Sequence, residues 1–371
     1  MKKKVTMKLY HLIMKKSIIT ILLSLAMSLI SQKLSSQSCA QLLKAAKSDN
    51  IETAEKLLKN DKVDPDCIVK SSDPRTPLVA ACRKGHFEIS KLLLEYGADV
   101  NYRYRGDETP LIAASKGGNF ELVKLLVNEG ADVRENIRGD GTPLLNAARH
   151  GHSEIVEYLL EKGAKIDTKS LGDGTPLINA IRSGDEETAK LLLNMGADPN
   201  LSSWGDENPM YHAAQRGSVE LMELLIAKGG DVNMEMRGDG SPLIIASKDG
   251  NIEMVELLLD KGAKIDMGVR GDGNPLIMAA RGGHFELVQF LVEKGADVNY
   301  EVKGDETPLI QASWNEHLDI VKYLVEKGAD VNKSSREGSY FNSTLRTPLK
   351  MARKSGNQEI INYLISKGAE E

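Results

Sequence analysis

A seven-residue phrase recurs along the chain at a fixed interval of 33 residues. It reads RGDGTPL at 138–144. Variants of the phrase begin at Arg105, Leu171, Trp204, Arg237, Arg270 and Lys303. A constant period of this length indicates one supersecondary unit repeated along a solenoid. Because each repeat of a solenoid contacts only its neighbours, such a chain offers a long surface rather than one deep pocket.

Each repeat contains two helix start signals. The first is Thr, Ser or Asn followed by proline, as at Thr142-Pro143, which is the pattern of an N-cap with proline in the first helical position. The second comes ten residues later, as at His152, and an acidic residue follows two positions on. A glycine such as Gly163 then ends the second apolar stripe. Each repeat therefore reads as helix, turn, helix and an outward loop.

The TPL, Ala-Ala and GADVN segments of these repeats resemble the ankyrin repeat. The resemblance implies an all-α repeat solenoid of about ten stacked helix-turn-helix units, caps included, with projecting β-hairpins. Residues 39–371 would form this domain. Residues 39–70 would be a degenerate N-terminal cap, residues 71–332 eight regular repeats, and residues 333–371 a C-terminal cap repeat with an insertion.

The chain departs from the ankyrin pattern in two ways: apolar residues such as Ile112 replace the usual His after Thr-Pro-Leu, and the Gly-Asp pair of the loop is shifted by one position. Apolar residues alternate ahead of the Gly-Asp pair, as in Met234 and Met236, and a period of two is typical of a strand. We therefore predict β-hairpins that are longer than usual and lie side by side. The last repeat also carries seven extra residues between Asn332 and Thr347. This insertion is either a tolerated loop or a partner contact made through Tyr340 and Phe341.

The first 38 residues have the pattern of a secretory signal. Lysines crowd residues 2–16, an apolar run covers 18–30, and a polar stretch follows. This run of thirteen residues is short for a membrane span, which needs about 20. We expect residues 1–38 to be a signal peptide, so that the chain is exported to the periplasm, the cell surface or the medium with no stable membrane span. Lipid attachment at Cys39 stays open, although Ser36 stands where a lipobox prefers leucine.

The three cysteines, Cys39, Cys67 and Cys82, are separated by 28 and 15 residues, which fits no zinc-binding pattern. We expect them to be small buried side chains. Because an exported chain can oxidise its thiols, a disulfide between two of them is the alternative.

Enzymatic and nucleic-acid functions find no support in the motifs. The chain has no phosphate-binding loop, nucleophile elbow or His-Glu-x-x-His motif, so we predict no enzyme activity, cofactor or metal. Four of the seven histidines occupy the second helix start, where we expect them to act as N-caps: His86, His152, His284 and His317. Without the seven lysines of residues 1–38 the formal charge of −5 becomes −12, which repels nucleic acid.

The resemblance implies protein binding through hairpin tips and the outer side of helix one, which line a concave face. The tip column comprises Arg105, Arg138, Leu171, Trp204, Arg237, Arg270 and Lys303. The helix-one column comprises Arg83, Lys116, Arg149, Arg182, Gln215, Lys248, Arg281, Trp314 and Lys354. Twelve of these sixteen positions are basic, which favours an acidic partner. The alternative is that the basic residues pair with the aspartates of the Gly-Asp turns, such as Asp140 and Asp173.

Trp204 interrupts the basic tip column next to Leu171. A tryptophan flanked by arginines is typical of a protein-interface hot spot, although it could also lie over the neighbouring hairpin. We therefore predict a monomeric, non-enzymatic protein–protein interaction module. The rival is a regulatory, inhibitory or chaperone-like partner of an exported enzyme.

Overall fold

The computed structural model describes residues 35–69, 75–104, 108–203, 208–236, 240–269, 273–302, 306–337 and 344–370. These residues fall into two compact bodies. The N-terminal body runs up to Ala147 and includes Glu161–Ala164, and the C-terminal body comprises Ala148–Leu160 and the residues from Lys165 onward. The predicted architecture of stacked helix-turn-helix repeats is confirmed within each body.

The N-terminal body contains the first helices of the chain. They are α1 (residues 35–47), α2 (Ile51–Lys59), α3 (Pro77–Lys84), α4 (Phe87–Glu95), α5 (Pro110–Gly117) and α6 (Phe120–Asn128). Two further helices contain the boundaries between the bodies, α7 (Pro143–Arg149) and α8 (Ser153–Glu161).

The C-terminal body continues the alternation of first and second helices. These are α9 (Pro176–Ser183), α10 (Glu186–Asn194), α11 (Pro209–Arg216), α12 (Val219–Ala227), α13 (Pro242–Lys248), α14 (Ile252–Asp260), α15 (Pro275–Gly282), α16 (Phe285–Glu293), α17 (Pro308–Trp314), α18 (Leu318–Glu326), α19 (Pro348–Ser355) and α20 (Gln358–Ser366). Its two strands are β1 (Ser335–Glu337) and β2 (Thr344–Arg346), which pair antiparallel.

The first helix of each repeat begins as the Thr-Pro signal predicts. Thr76 Oγ1 accepts a hydrogen bond from Val79 N at 3.2 Å, and Pro77 takes the first helical position. Five positions after the cap, an alanine with no exposed surface packs inside every repeat. These alanines are Ala81, Ala114, Ala147, Ala180, Ala213, Ala246, Ala279, Ala312 and Ala352. Their small side chains let the helices of neighbouring repeats approach closely. The apolar core of each body lies between these helices.

His86, His284 and His317 stand at the N-cap positions of their helices, as predicted, but the predicted capping by their side chains is wrong. None of their side chains bonds to the helix that follows it. The imidazole reaches back to the preceding repeat instead, as His284 Nε2 does to Lys248 O at 2.9 Å. Because a carbonyl can only accept, Nε2 carries the proton in this bond. The histidines therefore satisfy the carbonyl end of one helix rather than the amide end of another.

The predicted long hairpins are also wrong for four loops, of which the structure describes 137–141 and 170–174 in full and only the two ends of the others. A single bridge closes each turn: Ile137 with Gly141, Ser170 with Gly174, Met236 with Gly240, and Val269 with Gly273. The glycine that ends the turn has a positive φ, 84° at Gly240, and the N-cap of the next helix follows at once. The chain therefore has no residues left for a second strand.

The insertion of the last repeat does form a hairpin. β1 and β2 pair with Ser335 opposite Arg346 and Glu337 opposite Thr344. The aromatic residues predicted as contacts, Tyr340 and Phe341, lie outside the described residues.

A disulfide closes the N-terminal cap, so the expectation of three separate buried thiols is wrong for two of them. Cys39, on α1, is bonded to Cys67, in the loop after α2, with their Cα atoms 5.9 Å apart. Cys82 remains a free buried thiol, and its burial raises its pKa to about 12. The spacing of 28 residues could not show that this loop returns to α1. The bonded Cys39 sulfur is not free to carry a lipid.

Candidate partner-binding surface

Only two residues of the predicted tip column belong to the described residues, Arg138 and Leu171. The rest of the column lies outside them, so its placement stays a prediction: Arg105, Trp204, Arg237, Arg270 and Lys303.

Each described tip is an exposed residue on a buried anchor. In the N-terminal body, Ile137 is 2% exposed and its N–H donates to Gly141 O at 3.0 Å, while Arg138 beside it is exposed. In the C-terminal body, Ser170 is 1% exposed and makes the same bond to Gly174, whereas Leu171 is 50% exposed. The turn is thus fixed from below, and its apex residue is presented to solvent.

A rung between the basic column and the turn aspartates is closed within the chain at Arg149. Arg149 donates from Nε to Asn179 Oδ1 at 3.0 Å and from Nη2 to Asp173 Oδ1. Both acceptors lie in the next repeat. This contact supports the alternative interpretation, in which basic and acidic columns pair with each other along the solenoid.

A variant of this rung occurs where glutamate replaces the glycine before the N-cap. The Glu108 side chain has no exposed surface, and Arg83 Nε lies 2.7 Å from its Oε1, with Arg75 Nε at 3.9 Å. An ionised carboxylate is buried only at a high desolvation cost unless it is paired. Arg83 is therefore a structural counter-ion in the N-terminal body rather than a residue held ready for a partner.

The other cations of the helix-one column stand at the C-terminal turns of their helices. Lys116 is half-buried, and Arg182, Lys248 and Arg281 are exposed. A cation at this end is stabilised by the partial negative charge of the helix terminus. The aspartates that follow Arg182, Lys248 and Arg281 by the same interval as Asp173 follows Arg149 lie outside the described residues: Asp206, Asp272 and Asp305.

Trp314, predicted as a contact residue, is half-buried between two cations of the last repeat. The guanidinium of Arg346 and the ammonium of Lys354 each lie 4.4 Å from its ring centroid. Arg346 also pairs with Glu306, a carboxylate whose side chain is 5% exposed and which accepts from Gln311 Nε2 at 2.9 Å. The ring therefore has a role within the chain, because it helps to hold β2 against α17.

Sequence reasoning missed the residues that join the loops of neighbouring repeats. Asn200 Nδ2 donates to Gly229 O at 2.8 Å, and its Oδ1 accepts from Asp231 N at 2.8 Å. Asn233, Asn299 and Asn332 repeat the pattern in their own repeats. The signal was present in the recurring Asn of GADVN, but nothing in one sequence says that its partner lies 29 residues away.

Among the residues that the structure describes, no group of three or more His, Cys, Asp or Glu side chains could hold a metal ion. No helix in the same part of the chain is both long and apolar enough to cross a membrane.

Comparisons with known proteins agree with this geometry. A family model of ankyrin repeats, built from three copies, matches residues 42–137, 112–203, 202–269 and 266–335. The crystal structure of the human ASB11 ankyrin repeat domain matches with a TM-score of 0.53 and 28% sequence identity, over 60% of this chain and 98% of that one. No curated protein matches the chain in sequence.

Proposed function

This chain belongs to the ankyrin repeat family, and from that membership we propose that it is a monomeric, non-enzymatic protein that binds a partner protein. Ankyrin repeats are in general protein–protein interaction modules. The proposed contact surface is the face that carries the loop tips and the ends of the first helices. The observation that carries this choice is Leu171, a leucine half exposed at the apex of a turn whose end residues, Ser170 and Gly174, are buried.

The position of Leu171 favours recognition over stability. Ser170 and Gly174 fix the turn by their own backbone bonds, and half of the leucine surface remains open to solvent. Covering the exposed half of such a side chain in an interface contributes about 1 kcal/mol. Leu171 is therefore proposed as an apolar anchor, with the basic residues around the face as its rim.

The acidic character proposed for the partner rests on the exposed cations Lys248 and Arg281, on a chain whose formal charge is −5. Arg149 contributes less, because Asp173 and Asn179 already engage it. Charge pairs at an interface rim act mainly on the rate of association. Binding should therefore weaken as salt rises, and affinity that is independent of salt would remove the acidic partner from the proposal.

We predict that a photo-crosslinking residue placed at 171 captures one partner protein from the native source. The same residue at Ile252, which is 37% exposed on the second helix of another repeat, serves as the matched control. With the purified partner, Leu171→Asp should weaken binding about tenfold, since it both loses apolar burial and adds a charge. Equal capture at the two positions, or unchanged affinity of Leu171→Asp, would contradict the proposed face.

The same purified partner decides the rival function. If the partner is an enzyme and its activity changes on addition of this chain at one-to-one stoichiometry, the chain is a regulatory or inhibitory subunit. If the activity of the partner is unchanged, the chain binds the partner without regulating it.

We further propose that the chain is exported to the periplasm, the cell surface or the medium. The pattern of residues 1–38 supports this, and so does the Cys39–Cys67 disulfide, because disulfides persist in oxidising compartments.

We predict that a C-terminally tagged chain is found outside the cytoplasm. In denaturant without a reductant, a maleimide should label only Cys82. After reduction it should also label Cys39 and Cys67. Recovery of the chain in the cytoplasm, with Cys39 and Cys67 both reactive, would contradict export.

A further inference from the structure

A column of side chains joins the loop of each repeat to the loop of the next. Five asparagines in this column each make two hydrogen bonds, in which Oδ1 accepts from a backbone N–H and Nδ2 donates to a glycine carbonyl. They are Asn101, Asn200, Asn233, Asn299 and Asn332. The bonds to Oδ1 measure 2.7–2.9 Å and those from Nδ2 2.8–3.1 Å. A primary amide suits this site because it offers a donor and an acceptor on one planar group.

Three positions of the same column carry aspartate: Asp66 in the N-terminal body, and Asp167 and Asp266 in the C-terminal body. Each keeps the accepting half of the joint. Asp66 Oδ2 accepts from Asp99 N at 2.9 Å, Asp167 Oδ1 from Asp198 N at 3.1 Å, and Asp266 Oδ1 from Asp297 N at 3.2 Å. An ionised carboxylate has no proton to donate, so it cannot make the bond to the glycine carbonyl that the asparagines make.

The residue that donates to each of these carboxylates is itself an aspartate. Asp99 holds its own carboxylate in a local turn, where Oδ1 accepts from Asn101 N at 2.9 Å. Asp198 and Asp297 do the same with Asn200 and Asn299 at 2.8 Å. Two carboxylates therefore face each other across each joint, and like charges at this range disfavour double ionisation.

Burial is the main cause that raises the pKa of Asp66, Asp167 and Asp266. The backbone N–H bond from the next repeat lowers it, and the carboxylate of the next repeat raises it again. For Asp66, Asp64 adds to the repulsion. The lysines two residues from Asp167 and Asp266 on the same segments, Lys165, Lys169 and Lys264, are exposed to solvent.

The amide of Asn274 also approaches Asp266, with Nδ2 3.4 Å from Oδ1. It is a neutral group on the same repeat and does not offset the charge of Asp297.

We propose that Asp66, Asp167 and Asp266 are acid-responsive joints, in which protonation of the carboxyl group supplies the missing hydrogen bond to the glycine of the next repeat. The protonated group has one O–H donor and keeps an acceptor, as the amide does. Gly97, Gly196 and Gly295 stand where the asparagine joints have their acceptor carbonyls. Acid would thus strengthen three joints and leave the five asparagine joints unchanged. The proposal does not depend on the identity of a partner.

The direction of the effect follows from linkage. A carboxyl whose folded pKa lies above its unfolded value binds protons more tightly in the folded chain. Its contribution to stability is fully present below the unfolded value of 3.8 and is lost as pH rises through the folded pKa. Each aspartate joint is therefore weaker at neutral pH than at mildly acid pH.

The test uses adjacent joints of the C-terminal body in the full chain. Asp167→Asn converts an acid-responsive joint to the amide type, and Asn200→Asp makes the opposite change. Hydrogen exchange of the amides of Asp198 and Asp231 reports the two joints. The amide of Lys264, bonded to Asn233, is the internal reference for any global change of stability. Protection, corrected for intrinsic exchange, is compared between pH 7 and pH 4.

In the wild type, protection of the Asp198 amide relative to Lys264 should rise at pH 4 by roughly threefold or more. Asp167→Asn should abolish this rise, and Asn200→Asp should create one at Asp231. A rise that persists in Asp167→Asn, or no new rise in Asn200→Asp, overturns the proposal.

Discussion

Replacing Arg346 by alanine is expected to destabilise the C-terminal repeat by about 3–5 kcal/mol. The substitution leaves the Glu306 carboxylate, 5% exposed, without its counter-ion, and it uncovers one face of Trp314. Removing one partner of a buried ion pair costs more than the pair contributes, because an uncompensated charge remains in the interior. Since repeat arrays unfold from local regions, the loss should appear as early unfolding of α19 and α20 rather than as a uniform shift.

Urea unfolding followed by fluorescence measures this loss. The chain has two tryptophans, so a Trp204→Phe background makes Trp314 the single reporter of the last repeat. Lys354→Ala is the matched control, because Lys354 covers the same ring but forms no ion pair with any of the described residues. We expect Lys354→Ala to cost less than about 1 kcal/mol. Glu306→Gln should restore part of the stability of Arg346→Ala, and equal effects of Arg346→Ala and Lys354→Ala would disprove the role of the buried pair.

Breaking the Cys39–Cys67 bond is expected to cost the N-terminal cap about 3 kcal/mol. The bond closes a long segment that contains α2, so most of its effect comes from restricting the unfolded chain. Among the described residues, α1 is the first helix and has a neighbouring repeat on one side only, so the disulfide is a main means of its attachment. The Cys39→Ser, Cys67→Ser double variant should therefore fray at α1 and α2 while α5 and α6 stay protected.

Hydrogen exchange at neutral pH resolves this difference between the cap and the interior. The control is Cys82→Ala, which removes a buried thiol but no covalent bond. It should lower stability by about 1 kcal/mol without selective fraying of α1. If the double variant protects α1 as well as the wild type does, the disulfide is dispensable for the cap.

Local signals in the sequence predicted the helices, because Thr-Pro caps such as Thr76-Pro77 act within four residues of themselves. Features that depend on a neighbouring repeat were predicted less well. The imidazole of His284 bonds to Lys248 O, an acceptor 36 residues away, so its position at a helix start was misleading. Periodicity did suggest one cross-repeat contact, Arg149 with Asp173, because both columns recur at the same interval.

The surface was harder to predict than the scaffold. The alternation of Met234 and Met236 looked like a strand, but the cap at Ser241 follows Gly240 at once and stops it. Trp314 was predicted as a contact residue. The sequence could not show that Arg346 covers its ring, because Arg346 lies beyond the irregular insertion. Leu171 does lie at an exposed turn apex, because its turn keeps the regular length, and its role in binding stays a prediction.

The single-bridge turn separates the part of each repeat that must be kept from the part that can change. The residues at its two ends and the aspartate within it are held by backbone bonds, and the apex can accept Arg138 in one repeat and Leu171 in another. Mutation at an apex should therefore be nearly neutral for folding, and under the proposed function it would act on partner binding instead. Duplication of one repeat therefore adds a complete structural unit and one more apex position at which the residue can vary. A lineage of such chains can diversify its recognition quickly without first having to regain stability.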